Sequence, residues 1–568
     1  FCLSRGLGDV YKRQNQDELP DNLKNEKANN KYYMLPFLLG LLGMFYQYRK
    51  GKTGKQDFWV VMLLFIMTGI AIIVFLNQTP MEPRERDYAY AGSFYAYAIW
   101  IGLGVLSIWE FLNKKIKNID PRVSAIAVTT VCLFAIPVNM AAQNWDDHNR
   151  HARYATTAHA RNYLNSCAPN AILFTYGDND TFPLWYVQEV EGVRRDVRVV
   201  NLSLLSGSWY IDQMKRKAYE SSGVPISFTH EQYRDGKRDY VLIRDQFKEG
   251  NLKDVMEFVA SDLPQTKLQG YIKELDFIPT RNVILPVDSA KVIANGTVKP
   301  QDADQIVKDL RLHLPMQGLT KSQLMVLDIL STNNWERPVY FGIGMGSDAY
   351  MGLEKYFQLE GAAYRVVPIE TKEAEFYDYG RIDSDILYDN IMNKFEWGNI
   401  KDPKVNIDFF HDQTIAVMKY RNTFLRLAQK LYDEGKQAEA VAVLDKSLEE
   451  IPLYQVPADN SMLFYIPMYY ELGETEKANH LLNELATNNY QMLKYANSLE
   501  PKFANTPSIQ QEERLSIEVI KQLLAFATQA GQKELAQELQ DKVLRLYNPS
   551  HISPDKPLMK DTADKAGK

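Results

Sequence analysis

Apolar residues gather into four runs in the first quarter of the chain, Tyr32–Tyr48, Phe58–Leu76, Tyr88–Trp109 and Val123–Ala142, and a mostly polar sequence follows them. A helix needs about 20 apolar residues to cross roughly 30 Å of hydrocarbon, so the runs predict four membrane helices. Phe58–Leu76 has no charged residue and is the strongest span. The first run reaches only about 26 Å as a helix; Tyr32, Tyr33, Tyr46 and Tyr48 stand where interfacial anchors belong, and a buried globular helix is the alternative. In the third run, small residues (Ala89, Ala91, Gly92, Ser93, Ala96, Ala98) alternate with aromatic ones, which predicts close packing against neighbouring helices rather than a lone anchor.

After the spans the period changes. Ala171–Thr175 reads as a buried strand, Tyr176–Pro183 as an acidic loop, Leu184–Glu191 as a helix and Asp196–Leu205 as a strand. This β-loop-α-β unit puts the acidic loop at the carboxyl end of a strand, where open α/β sheets bind ligands. Asn282–Val287, Val339–Gly342 and Tyr364–Pro368 as strands, with Leu319–Asn333 as a helix, extend an α/β domain to about residue 375; Trp335 in the turn before Val339 suits a packed anchor. From about 412 the pattern is helical hairpins. Gly435, Gly473 and Gly531 each stand five residues before an alanine, Ala440, Ala478 and Ala536, with Val443-Leu444, Leu481-Leu482 and Leu539 one turn later. This resembles degenerate tetratricopeptide (TPR) repeats, which bind a protein partner or brace their own chain; a plain helical cap fits the same pattern.

The predicted fold class is multidomain: an α-helical transmembrane bundle, an α/β domain outside the membrane and an all-α TPR-like domain. The expected boundaries are 1–31 for a disordered or non-native N-terminal stretch and loop, 32–142 for the spans, 143–375 for the α/β domain, 376–411 for a linker or connecting segment, 412–550 for the helical domain and 551–568 for a flexible tail. The chain starts Phe1-Cys2, and Ser4–Gln14 reads as translated adapter or cloning sequence or as a plain disordered terminus, on an incomplete chain.

Charge orients the spans. Arg49, Lys50, Lys52 and Lys55 fill one short connection and Lys114, Lys115, Lys117 and Arg122 the alternate one, so both should face the cytoplasm and the large C-terminal portion should lie in the periplasm. A net charge of −6 without a basic stripe argues against nucleic-acid binding. Cys2, Cys132 and Cys167 form no disulfide framework. No phosphate loop, nucleophile elbow or ordered Ser/His/Asp signature occurs, so a soluble kinase or hydrolase is poorly supported.

Three clusters carry candidate chemistry. Glu82-Pro83-Arg84-Glu85-Arg86-Asp87-Tyr88 lies at the outer membrane surface; either its charges are solvated, or Arg84 and Arg86 hold a lipid-linked phosphate while the acids orient them or contact sugar hydroxyls. Asn144, Asp146, Asp147 and His148 open the extramembrane part, and His148 and His151 would share a face of a helix continuing through His159 and Arg161; salt bridges explain this set as well as a metal does. Asp178, Asn179, Asp180 and Thr181 either hold a divalent cation or sugar hydroxyls, with Thr181 capping the next helix, or form an Asp/Asn turn bonded to its own backbone.

The segment Asn77–Tyr97, with Asn144–Arg150, Gly177–Pro183 and Trp185–Leu205, closely resembles the C-terminal part of multi-pass inner-membrane proteins of Bacteroidetes related to GT-C-type protein O-mannosyltransferases, and Gln78–Tyr88 is highly specific to that resemblance. The resemblance covers most of residues 30–550. It implies a partial GT-C-like bundle, a polyprenyl-phosphate-linked sugar donor and an exported protein acceptor. It further implies that the catalytic acid lies upstream of this chain, leaving Glu82, Arg84, Glu85 and Arg86 as donor-site support; His151 stands where the family more usually has a small residue. A membrane-anchored periplasmic glycan- or protein-binding scaffold without catalysis is the alternative.

Overall fold

A computed structural model describes residues 15–547 apart from 26, 28, 79–85, 117–119, 269–274, 372–378 and 408–417. The described residues fall into two compact units, one of Phe1–Arg150 with Asn479–Lys568 and one of His151–Ala478.

In the first unit, three helical stretches are long and apolar enough to cross a membrane: Gly51–Leu76, Tyr88–Lys115 and Pro121–His148. They comprise α2 (Gly51–Thr68) and α3 (Ile70–Leu76), a 3-10 turn Asp87–Tyr90 leading into α4 (Ala91–Lys115), and α5 (Pro121–Leu133) joined to α6 (Asn139–His148). The joint is a π-turn, Phe134–Val138, carrying Pro137, whose missing N–H breaks the regular ladder. The first run forms a shorter helix, α1 (Leu35–Arg49), spanning about 22 Å.

The small-residue face of α4 packs as its composition requires. Ser93, Ala96, Trp100 and Gly104 are its buried positions. A Cβ on Gly43 of α1 would lie 1.8 Å from the Trp100 carbonyl oxygen, and one on Gly104 would lie 2.2 Å from that of Leu39, so the backbones of α1 and α4 approach more closely than any side chain permits. Glu110 of α4 meets Lys50 at 2.5 Å and Lys114 at 3.7 Å, which puts both basic connections at one end of the bundle.

The segment Gln16–Lys24, within the expected N-terminal stretch and loop, forms a 3-10 turn and one helical turn. Glu18 pairs with Lys494 at 2.6 Å, and Leu19 packs on Met492, Tyr495 and Ile509.

The second unit is built on a six-stranded open sheet of β1 (Ile172–Thr175), β2 (Arg198–Asn201), β3 (Val339–Gly342), β4 (Phe357–Leu359), β5 (Ala363–Val366) and β6 (Arg381–Ile382), in the order β6-β4-β5-β3-β1-β2. β1 runs parallel to both neighbours, Ile172 standing opposite Val339 and Arg198. Every position of β1, β2 and β3 is buried, which explains their continuous apolar character, typical of strands covered on both faces. Two smaller sheets, one of Lys267–Leu268, Leu275–Ile278, Tyr240–Ile243 and Gly318–Thr320 and one of Gly250–Asn251, Asn282–Pro286 and Asp309–His313, lie in the long excursion between β2 and β3.

The helices of this unit include α7 (Ala155–Asn165), α8 (Asp178–Glu189), α9 (Lys321–Asn333) and α10 (Met418–Asp433). α9 starts in a capping box between Thr320 and Gln323, so Leu319 belongs to the preceding strand and not to the helix. Trp335 is a packed anchor: it is buried, and its indole N–H donates to the Pro286 carbonyl at 2.9 Å.

Two further expectations are corrected. The helix expected to run from His148 past His159 is broken, because α6 ends at His148 and α7 begins at Ala155; His148 and His151 therefore share no helical face. The helix after the acidic loop begins at Asp178 rather than Leu184.

The hairpin glycines take up their predicted turns. Gly435, Gly473 and Gly531 have φ of +77°, +80° and +72°, the left-handed region glycine enters without steric cost. They lie between Met418–Asp433 and Gln437–Glu450, Met462–Glu471 and Thr475–Ser498, and Pro507–Gln529 and Lys533–Tyr547. Ala440 and Ala478 are fully buried. The C-terminal stretch is thus all-α.

Candidate functional site

β1 has parallel neighbours on both sides, reached by connections that leave in opposite directions along the sheet, and the crevice at such a point is where open α/β sheets bind ligands. Two loops border it. Tyr176-Gly177 leads from β1 to α8, and Ile343–Gly346 follows β3. Gly177 has φ +81° and ψ 174°, a conformation nearly exclusive to glycine, and it turns the chain straight into the first helical residue, Asp178.

Asn201, at the end of β2, clasps this turn. Its amide donates to the Gly177 carbonyl at 3.0 Å and to the Thr181 hydroxyl at 2.7 Å. Thr181 is fully buried, donates to the Gly177 carbonyl at 2.7 Å and faces the Thr175 hydroxyl at 2.8 Å. It is therefore an internal strut and not the cap of α8, whose N-cap is Gly177.

Asp178 and Asp180 do not converge. Residues two apart on a helix point away from each other, and here Asp178 is exposed, its Oδ1 accepting the Asn179 N–H at 3.0 Å, whereas Asp180 Oδ1 takes an ion pair from Lys419 at 2.7 Å. The pair cannot chelate one cation from this helix. Among the described residues, no group of three or more His, Cys, Asp or Glu is arranged to hold a metal.

Beneath the Asp180–Lys419 pair lies a buried polar layer. His159 and Tyr163, one turn apart on α7, meet edge to face at 5.4 Å between ring centroids. His159 Nδ1 stands 2.8 Å from the Tyr420 hydroxyl. Burial, and then the positive charge of Lys419, push the His159 pKa down to about 3, so its ring is neutral at ordinary pH. Burial and then the negative charge of Asp180 raise the Tyr163 pKa well above that of a free phenol. His159 Nε2 and Tyr163 Oη are buried and find no hydrogen-bond partner among the described residues. A Cβ on Gly342 would sit 1.7 Å from that hydroxyl, so glycine ends β3 because Tyr163 occupies the space. The Tyr350 hydroxyl donates to the Gly342 carbonyl at 2.8 Å and accepts the Met345 N–H at 3.1 Å, pinning the second loop.

The rim offers exposed polar and aromatic groups together: Asp178 and Asn179 beside Tyr176 and Phe182, with Phe182 stacked on Trp185 at 5.3 Å. Carboxylate and amide acceptors next to ring faces suit a polyhydroxylated ligand. Two carboxylates in the first turn already complement the helix dipole and disfavour a phosphate there.

The other predicted clusters lie in the first unit. Asn144 Oδ1 and Asp147 Oδ2 each accept from the Asn30 amide at 3.3 Å, Asn144 also bonds the Tyr32 hydroxyl, and His148 Nδ1 meets Asp147 Oδ1 at 2.8 Å. Asp146 accepts the Asp147 N–H at 3.1 Å. These contacts fasten the Asn30–Tyr32 segment to α6. Glu82, Arg84 and Glu85 lie outside the described residues. Arg86 caps the turn Asp87–Tyr90 through its carbonyl, which accepts the Ala89 N–H at 3.0 Å, and Tyr88 is exposed.

Sequence reasoning missed Lys419, Tyr420, Tyr163 and Asn201, which come to the crevice from distant segments. Gly342-Ile343-Gly344-Met345-Gly346 after a predicted strand was the one local signal.

Residues 156–386 match the family profile described as TMEM260-associated domain 2, a domain loosely linked to glycosylation-related membrane proteins. The matched range includes β1 to β6 and both crevice loops, and ends before Lys419. No curated protein matches the chain, and no solved structure does.

Proposed function

We propose that this chain serves a membrane glycosyltransferase that takes sugar from a polyprenyl-phosphate donor and O-glycosylates exported proteins, possible mannosylation included, with the β1/β3 crevice binding sugar or acceptor hydroxyls. The observation that carries this reading is the match of a glycosylation-linked domain to the α/β portion, in a chain whose preceding helices are apolar enough to cross a membrane. Arg84 and Arg86 are the proposed contacts to the lipid-linked phosphate, with Glu82, Glu85, Asp87 and Tyr88 around them. The helical hairpins are the proposed surface for a protein partner.

One observation favours a second reading, a membrane-anchored glycan- or protein-binding scaffold. In the crevice Asp180 is neutralised by Lys419 and His159 is buried and neutral, so the groups there suit binding better than proton transfer.

The test is sugar transfer by the complete protein in its native membrane, from polyprenyl-phosphate sugar to an exported acceptor. Transfer that falls at least about tenfold in Asp178→Ala and in Arg86→Ala, the loss of one charged hydrogen bond or more, supports the transferase. Full transfer in both variants rules out these roles. No transfer by the wild type, with retained glycan binding, supports the scaffold.

A further inference from the structure

Within the first unit, a stretch of the chain lies on the C-terminal helices as a bound peptide would. Gln491, Lys494, Tyr495 and Ser498 of the helix Thr475–Ser498 stand at i, i+3, i+4 and i+7 and so share one face. Residues 15–21 run along that face in the opposite direction. The Asn15 amide donates to the Ser498 hydroxyl at 3.2 Å and also to the Ser498 carbonyl, and Glu18 pairs with Lys494 at 2.6 Å. At Gln491 the contact is reciprocal: the Asp21 N–H donates to Oε1 at 2.9 Å, and Nε2 donates to the Asp21 carboxylate at 2.7 Å. Between the two acids, Leu19 enters the apolar cluster of Met492, Tyr495 and Ile509, with Phe503 beside it, and Pro20 is buried.

Leu19 and Pro20 have φ/ψ of −58°/143° and −51°/143°, the polyproline II region. Proline presets that conformation, so such a dipeptide loses little entropy on docking, and aromatic-lined surfaces recognise it for that reason. The contacts thus read the sequence Glu-Leu-Pro-Asp group by group: a cation for the first acid, an apolar cluster for the leucine, and an amide clamp for the second acid. Chain connection alone requires none of these matches. The next fastening is at Asn30 and Lys31, which bond Asn144, Asp147 and Gln143 of α6. A tether this short holds the peptide at an effective concentration on the order of millimolar.

We propose that this face is a recognition site for an acidic peptide of the form acid-Leu-Pro-acid, and that Glu18–Asp21 fills it in cis. A protein partner presenting such a segment binds by displacing the chain's own copy. The proposal narrows the partner surface already assigned to the helical hairpins, and rests on that reading; it does not depend on the sugar chemistry.

The probe is a fluorescein-labelled peptide of residues 15–24, added to the full chain in lipid nanodiscs and read by fluorescence anisotropy. Leu19→Ala in the chain weakens the cis competitor, so trans binding is expected to tighten about tenfold over the wild type, the effect of about two buried methylenes. In that variant, adding Lys494→Glu should weaken binding again, and a peptide carrying Leu19→Ala should bind about tenfold more weakly than the native one. Hydrogen exchange on the wild-type chain makes the test independent of how any variant folds. Excess peptide should speed exchange across residues 15–24 and leave 491–498 protected. Equal binding to wild type and Leu19→Ala, binding indifferent to Lys494→Glu and to the alanine peptide, or exchange unchanged by excess peptide would each overturn the site. Those outcomes would leave the hairpin around Gly435 as a surface for a partner, whereas failure of sugar transfer would leave the peptide result untouched.

Discussion

At the scale of single residues, the crevice stands on one mostly buried ion pair over a layer of neutral polar groups. The side chains of Asp180 and Lys419 are 12% and 18% exposed. Removing one partner strands the other, which costs about 3–5 kcal/mol for a fully buried pair; with this residual exposure Lys419→Met should cost about 2–3 kcal/mol. The double variant Asp180→Asn with Lys419→Met should cost less than the sum, and a urea-unfolding double-mutant cycle checks it. His159 makes stability depend on pH. Its folded pKa of about 3 lies below the 6.5 of the unfolded chain, so between these values the unfolded state binds the proton that the folded state refuses. Stability is complete above pH 6.5 and falls by up to about 1.4 kcal/mol per pH unit as pH drops through this window. His159→Phe should flatten that slope, read as the difference between wild-type and variant melting midpoints at pH 7 and pH 4.5; equal slopes would show that the ring protonates in place.

At the scale of elements, the glycines mark where backbone geometry decides the structure. Nothing lies within 4 Å of a Cβ built on Gly177, so Gly177→Ala meets no clash and should cost only its φ/ψ strain, about 1–3 kcal/mol. The same substitution should re-aim Asp178, so ligand binding in the crevice should fall further than stability predicts; titration of the folded variant measures this. Between α1 and α4 the reverse holds, because a side chain on Gly43 meets backbone. Gly43→Leu should separate the two helices, and the disulfide yield of cysteines placed on their facing sides should fall. These contrasts show what was legible. Val339–Gly342, Asn282–Pro286 and the three hairpin turns follow from local patterns, since a strand's burial and a left-handed turn are written in consecutive residues. The first turn of α8 was not legible, because Asp, Asn and Asp favour loops as readily as helix starts and the clasp that settles the matter, Asn201, is 24 residues from Gly177. Lys419 was less legible still, at 239 residues from Asp180.

For the whole molecule, composition and architecture agree on a multi-pass membrane block bearing a large extramembrane portion, and the contacts sharpen the topology. Charge counting alone put the Arg49–Lys55 and Lys114–Arg122 connections on the cytoplasmic side, but it treated them as independent. Glu110 links them: it holds Lys50 of one and Lys114 of the other, so whichever face receives one receives both. Reorienting the bundle would carry the two basic clusters out together, and the positive-inside bias of each then opposes it. An alkaline-phosphatase reporter, active only outside the cytoplasm, should be active when fused after residue 300 and inactive when fused after Lys52 or Lys115. Replacing Lys50, Lys52 and Lys55 by asparagine should leave that pattern unchanged, because the second cluster still anchors the same end; neutralising both clusters should scatter the reporter between the two faces. Activity after Lys52 with none after residue 300 would invert the assignment, and the crevice would then face the cytoplasm, where exported acceptors are not displayed.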